Sequence, residues 1–395
     1  MFPFRPLMRI AVFAAIGLVA LTSIVHAQSD DDDEDEMDYA PLVPTGGSLR
    51  FGLRYVGGPK VSFHNVGTIP PVFLTPSTST TATNSYNDGT VGADTRVDAN
   101  GHPENDGLTN TWTVNFPSQI TSDGNVAYHI YSTTAMPDGQ TLNAANTLAD
   151  GWELQMGHSF GKIARKVDVS LVAGFTLNSF NSRRSTGIQS QLTTLTDVYS
   201  LNGQSPPLNF PASQPNSTTV NVYDSNGQVV ITPTGVAKTE TVDTSILLGT
   251  TPTRTNANGT PTTVEVEGNW QIKGAYYTFR LGPVFEFPVT ERFKLTLGFG
   301  PAAVFAGSTY TSNELALVSN VSTLVNISQV KTHSVLLPAW YADANAEYWL
   351  TERAGFYFGG TYQRCQSFDQ RLGGESATID MTSTSGITSG LTLRF

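Results

Sequence analysis

Ile387-Thr-Ser-Gly-Leu-Thr-Leu-Arg-Phe395 closes the chain. Ile387, Leu391, Leu393 and Phe395 share one face, with Thr388, Gly390, Thr392 and Arg394 on the other. A period of two with one apolar side is the mark of a half-buried β-strand. In a soluble domain, a strand ending on an uncovered Phe uses its apolar area poorly. Against lipid, an aromatic side chain at the end of a strand is an anchor at the membrane–water boundary.

Leu391, Leu393 and Phe395 carry a resemblance as well as a pattern. The ending resembles the closing strand of Gram-negative outer-membrane β-barrels, whose terminal Phe belongs to the signal read by their assembly machinery. The resemblance implies that machinery as a partner. The other end of the chain fits export. Arg5 and Arg9 flank a short basic region, Ile10 to Val25 is mostly apolar, and Val25-His26-Ala27 is a small-residue cleavage site. The apolar run is shorter than the ~20 residues of a spanning helix and has the layout of a secretory signal peptide. The expected organisation is a signal peptide at 1–27, an acidic periplasmic linker at 28–46 and a barrel over 47–395.

Seven further segments alternate like the last one. Their apolar faces are Leu49 to Tyr55, Trp152 to Phe160, Val167 to Leu177, Ala275 to Phe287, Phe293 to Phe305, Trp340 to Leu350, and Phe356 to Tyr362. Eight strands is an even count, as a single-chain bacterial barrel needs. Connections after the second, fourth and sixth strands are tight: Gly161 to Lys166, Pro288 to Arg292, and Thr351 to Arg353. Those expected at 57–150, 181–267 and 311–332 are long. Short turns on one side and long loops on the other is the asymmetry of outer-membrane barrels. The fold class expected is all-β, a transmembrane up-and-down antiparallel barrel of about eight strands. It resembles the small OmpA- and OmpX-like group, which includes structural and adhesive members. Pro283 and Pro301 interrupt the fourth and fifth strands, where bulges or a one-residue slip are expected.

Two girdles of aromatics follow from the same register. Phe160, Phe287, Phe293, Tyr348, Phe356 and Phe395 lie beside the short turns, and Tyr55, Trp152, Trp340 and Phe305 lie toward the long loops. The lipid bilayer is therefore the expected partner of the outer face. The inner face carries Arg50, Arg54, Arg280, Lys294 and Arg394 against Glu153, Asp168, Glu286, Asp343 and Glu347. Eight strands enclose only enough space for side chains. Unpaired buried charge is costly, so balanced signs predict a paired ion network rather than a selectivity filter.

Composition excludes several functions. The formal charge is −11, and loss of Arg5 and Arg9 with the leader would take it to −13. Much of this is one run, Asp30 to Asp38, read as a solvated tether. Little basic surface is left for nucleic acid. The lone Cys365 excludes an intrachain disulfide framework. Candidate chemistry is thin. Asp88, Asp94, Asp98, Asn100, Glu104 and Asp106 could offer oxygens to calcium, but lack EF-hand order and read more simply as Asx turns. His158 falls on the lipid face while Ser159 and Glu153 point inward, so no acid–base set converges. Nothing implies a cofactor. The expected function is non-enzymatic: an outer-membrane surface protein whose loops contact an unidentified extracellular ligand. The alternatives are a narrow passive pore, a lipid-modifying barrel enzyme, and a secreted soluble β-sandwich. Tyr86-Asn-Asp-Gly89 reads as a hairpin turn and Asn125 to Thr134 as a further strand, together a cap or rim extension in the first loop.

Overall fold

The computed structural model describes residues 46–395 apart from 80, 99, 137–140, 146, 165–166, 257–261 and 319–322. The leader at 1–27 and all but the last residue of the acidic linker lie outside the described residues. Among the described residues no helix is long and apolar enough to cross a membrane. Eight long antiparallel strands pair in a closed ring: β1 (Gly47–Gly57), β2 (Leu148–Ala164), β3 (Val167–Tyr199), β4 (Thr262–Pro288), β5 (Phe293–Val318), β6 (Thr323–Trp349), β7 (Ala354–Arg364) and β8 (Thr384–Arg394). Each strand pairs with the next, and β1 closes the ring on β8, Leu49 opposite Leu393 and Tyr55 opposite Ile387. The fold is an all-β up-and-down antiparallel barrel.

The β4–β5 register is constant across the prolines, which corrects the expectation there. On β4 and β5, Arg280 faces Ala302 and Val284 faces Gly298, so the same register holds on both sides of Pro283 and Pro301. Only the rungs between them are missing. In that register Pro283 lies across from Phe299, Gly282 from Gly300 and Leu281 from Pro301. A single gap thus absorbs both absent N–H donors, in place of the expected bulges or one-residue slip. The glycines let the backbones close in: a Cβ on Gly282 would lie 2.2 Å from the Phe299 carbonyl oxygen. The register shifts fall instead between β2 and β3, at Val167/Asp168 and Val169/Ser170 beside the short turn. There Gly161 has φ +88°, a conformation glycine adopts without a Cβ penalty.

Two expected loop boundaries also fail. Residues 181–199 and 262–267 are strand, continuing β3 and β4, and 311–318 and 323–332 continue β5 and β6. Residues 311–318 and 323–330 are the top of a ladder running from Phe293↔Tyr348 to Val318↔Thr323. The reason is an inversion of polarity along each strand. On β4 the outward face is apolar from Ala275 to Phe287, then turns to Lys273, Gln271, Asn269 and Glu267. On β5 it is apolar from Phe293 to Phe305, then Gly307, Thr309, Thr311 and Asn313. The inner face does the reverse. At and above the switch Val264, Val266, Trp270, Ile272, Tyr276, Val304, Ala306, Tyr310, Ala316 and Val318 are buried together. The switch falls on neighbouring rungs, Ser179↔Ala275, Ala275↔Gly307 and Gly307↔Ser334. Below it the strands form a cylinder greasy outside and charged inside. Above it they form a wall greasy inside and mostly polar outside, with Leu315, Leu317 and Val330 as exposed exceptions. At ~3.3 Å per residue and ~45° tilt, Ala275 to Phe287 rises ~28 Å, the height of a lipid-facing apolar band.

The inner face of the upper wall is covered by a second sheet. Phe368–Leu372, Glu375–Asp380, Lys60–His64 and Thr141–Asn143 pair in that order. Their Val61, Phe63, Phe368, Leu372, Ala377 and Ile379 join the wall's apolar cluster, with Cys365 and Met381. The Val126–Ala135 strand extends the wall by pairing with the top of β3, from Ser190↔Ala135 to Tyr199↔Val126. A satellite core lies on its other face, where Tyr86, Trp112, Val114, Tyr128, Ile130, Tyr199 and Leu248 are buried.

Candidate functional site

Three layers can be followed from the short-turn side upward. The lowest is ionic. Lys294 Nζ and Arg394 Nη2 lie 3.4 and 3.2 Å from Glu286 Oε2, and the Arg394 guanidinium stacks 4.0 Å from the Trp349 ring centre. Arg50 pairs with Glu347. Above them Glu153, fully buried, takes Arg280 Nη2 at 2.8 Å on one oxygen, with Arg54 Nη1 at 3.8 Å. On its other oxygen Glu153 accepts from Tyr357 Oη at 2.8 Å and from Thr388 Oγ1. Arg280 also donates to Asp343 Oδ2 at 2.7 Å and lies 5.2 Å over the Tyr341 ring. The cleft between Arg50, Gln155, Arg280, Tyr341, Asp343 and Asn345 leaves no room for a water-sized sphere.

Of the ten inward charges, nine fall into these three groups. Asp168 is not among the ion pairs of the described residues. It is half-buried, opposite Glu286 on the β3–β4 ladder and Lys162 on the β2–β3 ladder. Sequence reasoning missed Tyr357, Thr388, Tyr341 and Trp349, which hold the charges in place. Strand parity turns Tyr357 inward between Phe356 and Phe358, and that signal was available.

Outside, Phe160, Phe287, Tyr348, Phe356 and Phe395 are exposed at the short-turn end, and Phe293 is half-exposed beside Tyr348. Leu391 and Leu393 face outward on β8, and the Phe395 ring lies over Gly47, where a Cβ would come within 2.6 Å. Higher up, Phe51, Trp152, Phe175, Tyr277 and Phe305 follow one another around five strands with ring centres 5.3 to 6.5 Å apart.

The cap's polar residues are tied to one another. The Asn84–Tyr86 and Gly89–Val91 strands form the hairpin, and its turn grips the neighbouring strand. Asp88 accepts from the His129 backbone N–H at 2.9 Å and contacts His129 Nδ1 at 2.5 Å, while Asn87 Oδ1 accepts from the Tyr131 N–H. Arg96 bridges Asp94 and Asp106, which holds the Asp106 carboxyl below the usual carboxylate range. Asp98 accepts the backbone N–H groups of Asn100 and His102, an Asx turn, and the His102 amide in particular lowers its pKa. Internal donors thus occupy four of the six oxygen-bearing residues considered for calcium. Tyr86 Oη donates to Asp197, which also takes a two-pronged contact from Arg254. His158 packs edge-on against Phe160 and Ser159 accepts from the Gly161 N–H, so neither meets Glu153 in the lumen.

Gly67 is where the cap meets the wall. Its φ is +84°, and a Cβ would lie 2.2 Å from Ser190 Oγ and 2.8 Å from Ile188 Cδ1. Gly67→Ala is expected to cost ~1–3 kcal/mol, by left-handed strain and overpacking together. Limited proteolysis of the purified variant checks this: the cap should be cleaved faster while the barrel fragment survives.

The sequence matches no protein-family model and no curated protein. Among solved structures the chain is similar to the outer membrane protease OmpT from Escherichia coli, at 10% identity over 89% of this chain and 98% of that one, TM-score 0.29. It is similar to Ail, the attachment invasion locus protein of Yersinia pestis, at 9% identity over 88% and 99%, TM-score 0.22. A Pseudomonas aeruginosa FadL homologue gives 9% identity over 89% and 90%, TM-score 0.17. At these scores none of the three bears on mechanism.

Proposed function

We propose that the chain is a non-enzymatic outer-membrane surface protein: a sealed barrel that anchors a large folded cap, which contacts an extracellular ligand. The observation that carries this is the polarity inversion at Ser179, Ala275, Gly307 and Ser334, which gives one set of strands a lipid-facing half and a water-facing half. A lumen filled by paired charge below and apolar side chains above supports anchoring over conduction. The part best placed for contact is the ribbon of Ser217–Asn221 and Thr239–Asp243, whose residues are all exposed, extended by bridges between Tyr223 and Val229 and between Ile231 and Ala237.

Two measurements test the reading. In gels of the membrane fraction, the unheated protein should migrate anomalously and shift on boiling. Recovery of a monodisperse chain from detergent-free buffer would rule the anchor out. In planar bilayers the protein should give no stable single-channel steps. Large, steady steps would replace this reading with that of a narrow pore.

A further inference from the structure

Two carboxyl side chains meet where the cap joins the wall. Glu314, on the inner face of β5, and Glu375, at the turn of the Phe368–Leu372/Glu375–Asp380 hairpin, are 2% and 4% exposed. Each has one oxygen committed to a neighbour. Glu314 Oε1 accepts from Gly67 N–H at 2.7 Å and Trp270 Nε1 at 2.8 Å, and Glu375 Oε2 accepts from Tyr310 Oη at 3.0 Å. The other oxygens, Glu314 Oε2 and Glu375 Oε1, are buried and have no other partner. Among the described residues neither carboxyl is within 4 Å of a Lys, Arg or His nitrogen.

Two buried carboxylates facing one another without a counter-cation cannot both ionise cheaply. We propose that Glu314 and Glu375 share one proton, and that this proton latches the cap's last hairpin to the barrel wall, releasing it as pH rises. The groups packed around the pair add no positive charge. β5 supplies Tyr310, with Ser312 beside Glu375, β4 the Trp270 indole, and the segment after β1 a backbone amide. Burial first, then the hydrogen bond and charge of Glu314, pushes Glu375 up to about 9. The sign follows from linkage. A carboxyl whose folded pKa lies above its unfolded value of ~4.3 contributes fully below the unfolded value and is lost as pH rises through about 9. The cap is therefore tightest in mild acid.

Hydrogen exchange on the full-length protein in detergent micelles, corrected for the intrinsic rate at each pH, reads the latch directly. Between pH 5 and pH 9.5 protection at residues 65–69 and 375–380 should fall more than tenfold, with residues 293–305 of the barrel unchanged. Glu375→Gln, which keeps a donor and an acceptor without a charge, should hold protection high and flat across that range. Glu314→Gln should do the same. Wild-type protection independent of pH would overturn the proposal. So would protection at pH 9.5 restored by millimolar calcium alone, because the pair would then hold a cation rather than a proton. A Glu375→Gln cap as loose at pH 5 as that of Glu375→Ala would also overturn it, since the charge-neutral hydrogen bond would then contribute nothing.

Discussion

Replacing Glu153 by alanine is expected to destabilise the barrel by ~3–5 kcal/mol, the cost of leaving buried charge without its partner. Glu153 takes two arginines and two hydroxyls, from β1, β4, β7 and β8, at the centre of the lumen. Its loss strands the Arg54 guanidinium and leaves Arg280 with Asp343 alone, both arginine side chains being 2% exposed. Tyr357→Phe removes one hydrogen bond from the same carboxylate and should cost ~1 kcal/mol. Guanidinium unfolding in micelles, followed by tryptophan fluorescence, separates the two. Equal midpoints for the two variants would mean that Glu153 acts through its hydroxyl contacts and not through the arginines.

The second large effect depends on height alone. Phe299 and Thr311 point outward from the same strand, Phe299 in the middle of the apolar band and Thr311 above the switch. Phe299→Arg should cost ~2–4 kcal/mol, the price of a cation at the bilayer midplane. Thr311→Arg should stay within ~0.5 kcal/mol, as an ordinary surface change. Unfolding from phospholipid vesicles measures both. Similar costs at the two positions would mean that the outer face does not meet lipid where the apolar band says it does.

The eight strands were legible because a lipid band forces one apolar phase over many consecutive positions of each strand. Above the band the phase flips, and that flip hid half of the wall. On β4 the apolar side chains are odd-numbered from Ala275 to Phe287 and even-numbered from Val264 to Tyr276. Where the phases overlap, at Ala275-Tyr276-Tyr277, neighbours are apolar together and alternation is lost. Thr, Ser and Asn above that point then resemble loop. The prolines misled for a related reason: either one alone implies a defect, but only pairing places both in one gap. Parity separates inward from outward side chains and goes no further. That Glu153 of β2 meets Arg280 of β4 across the lumen depends on ring closure, which no local pattern records. Glu314 and Glu375 escaped notice because they lie in stretches read as connections, 311–332 and the turn before the last strand.

The β4, β5 and β6 ladders run through the water–lipid boundary without a break in register, from Gly274↔Ser308 and Ala275↔Gly307 to Gly307↔Ser334. Hinges are loop or element-terminal residues that absorb large backbone rotations, and none interrupts these three strands at that height. The molecule therefore has no swivel there. A tug on the outermost part is carried as shear along hydrogen-bonded rungs into the embedded cylinder, so tilting one end must tilt the other.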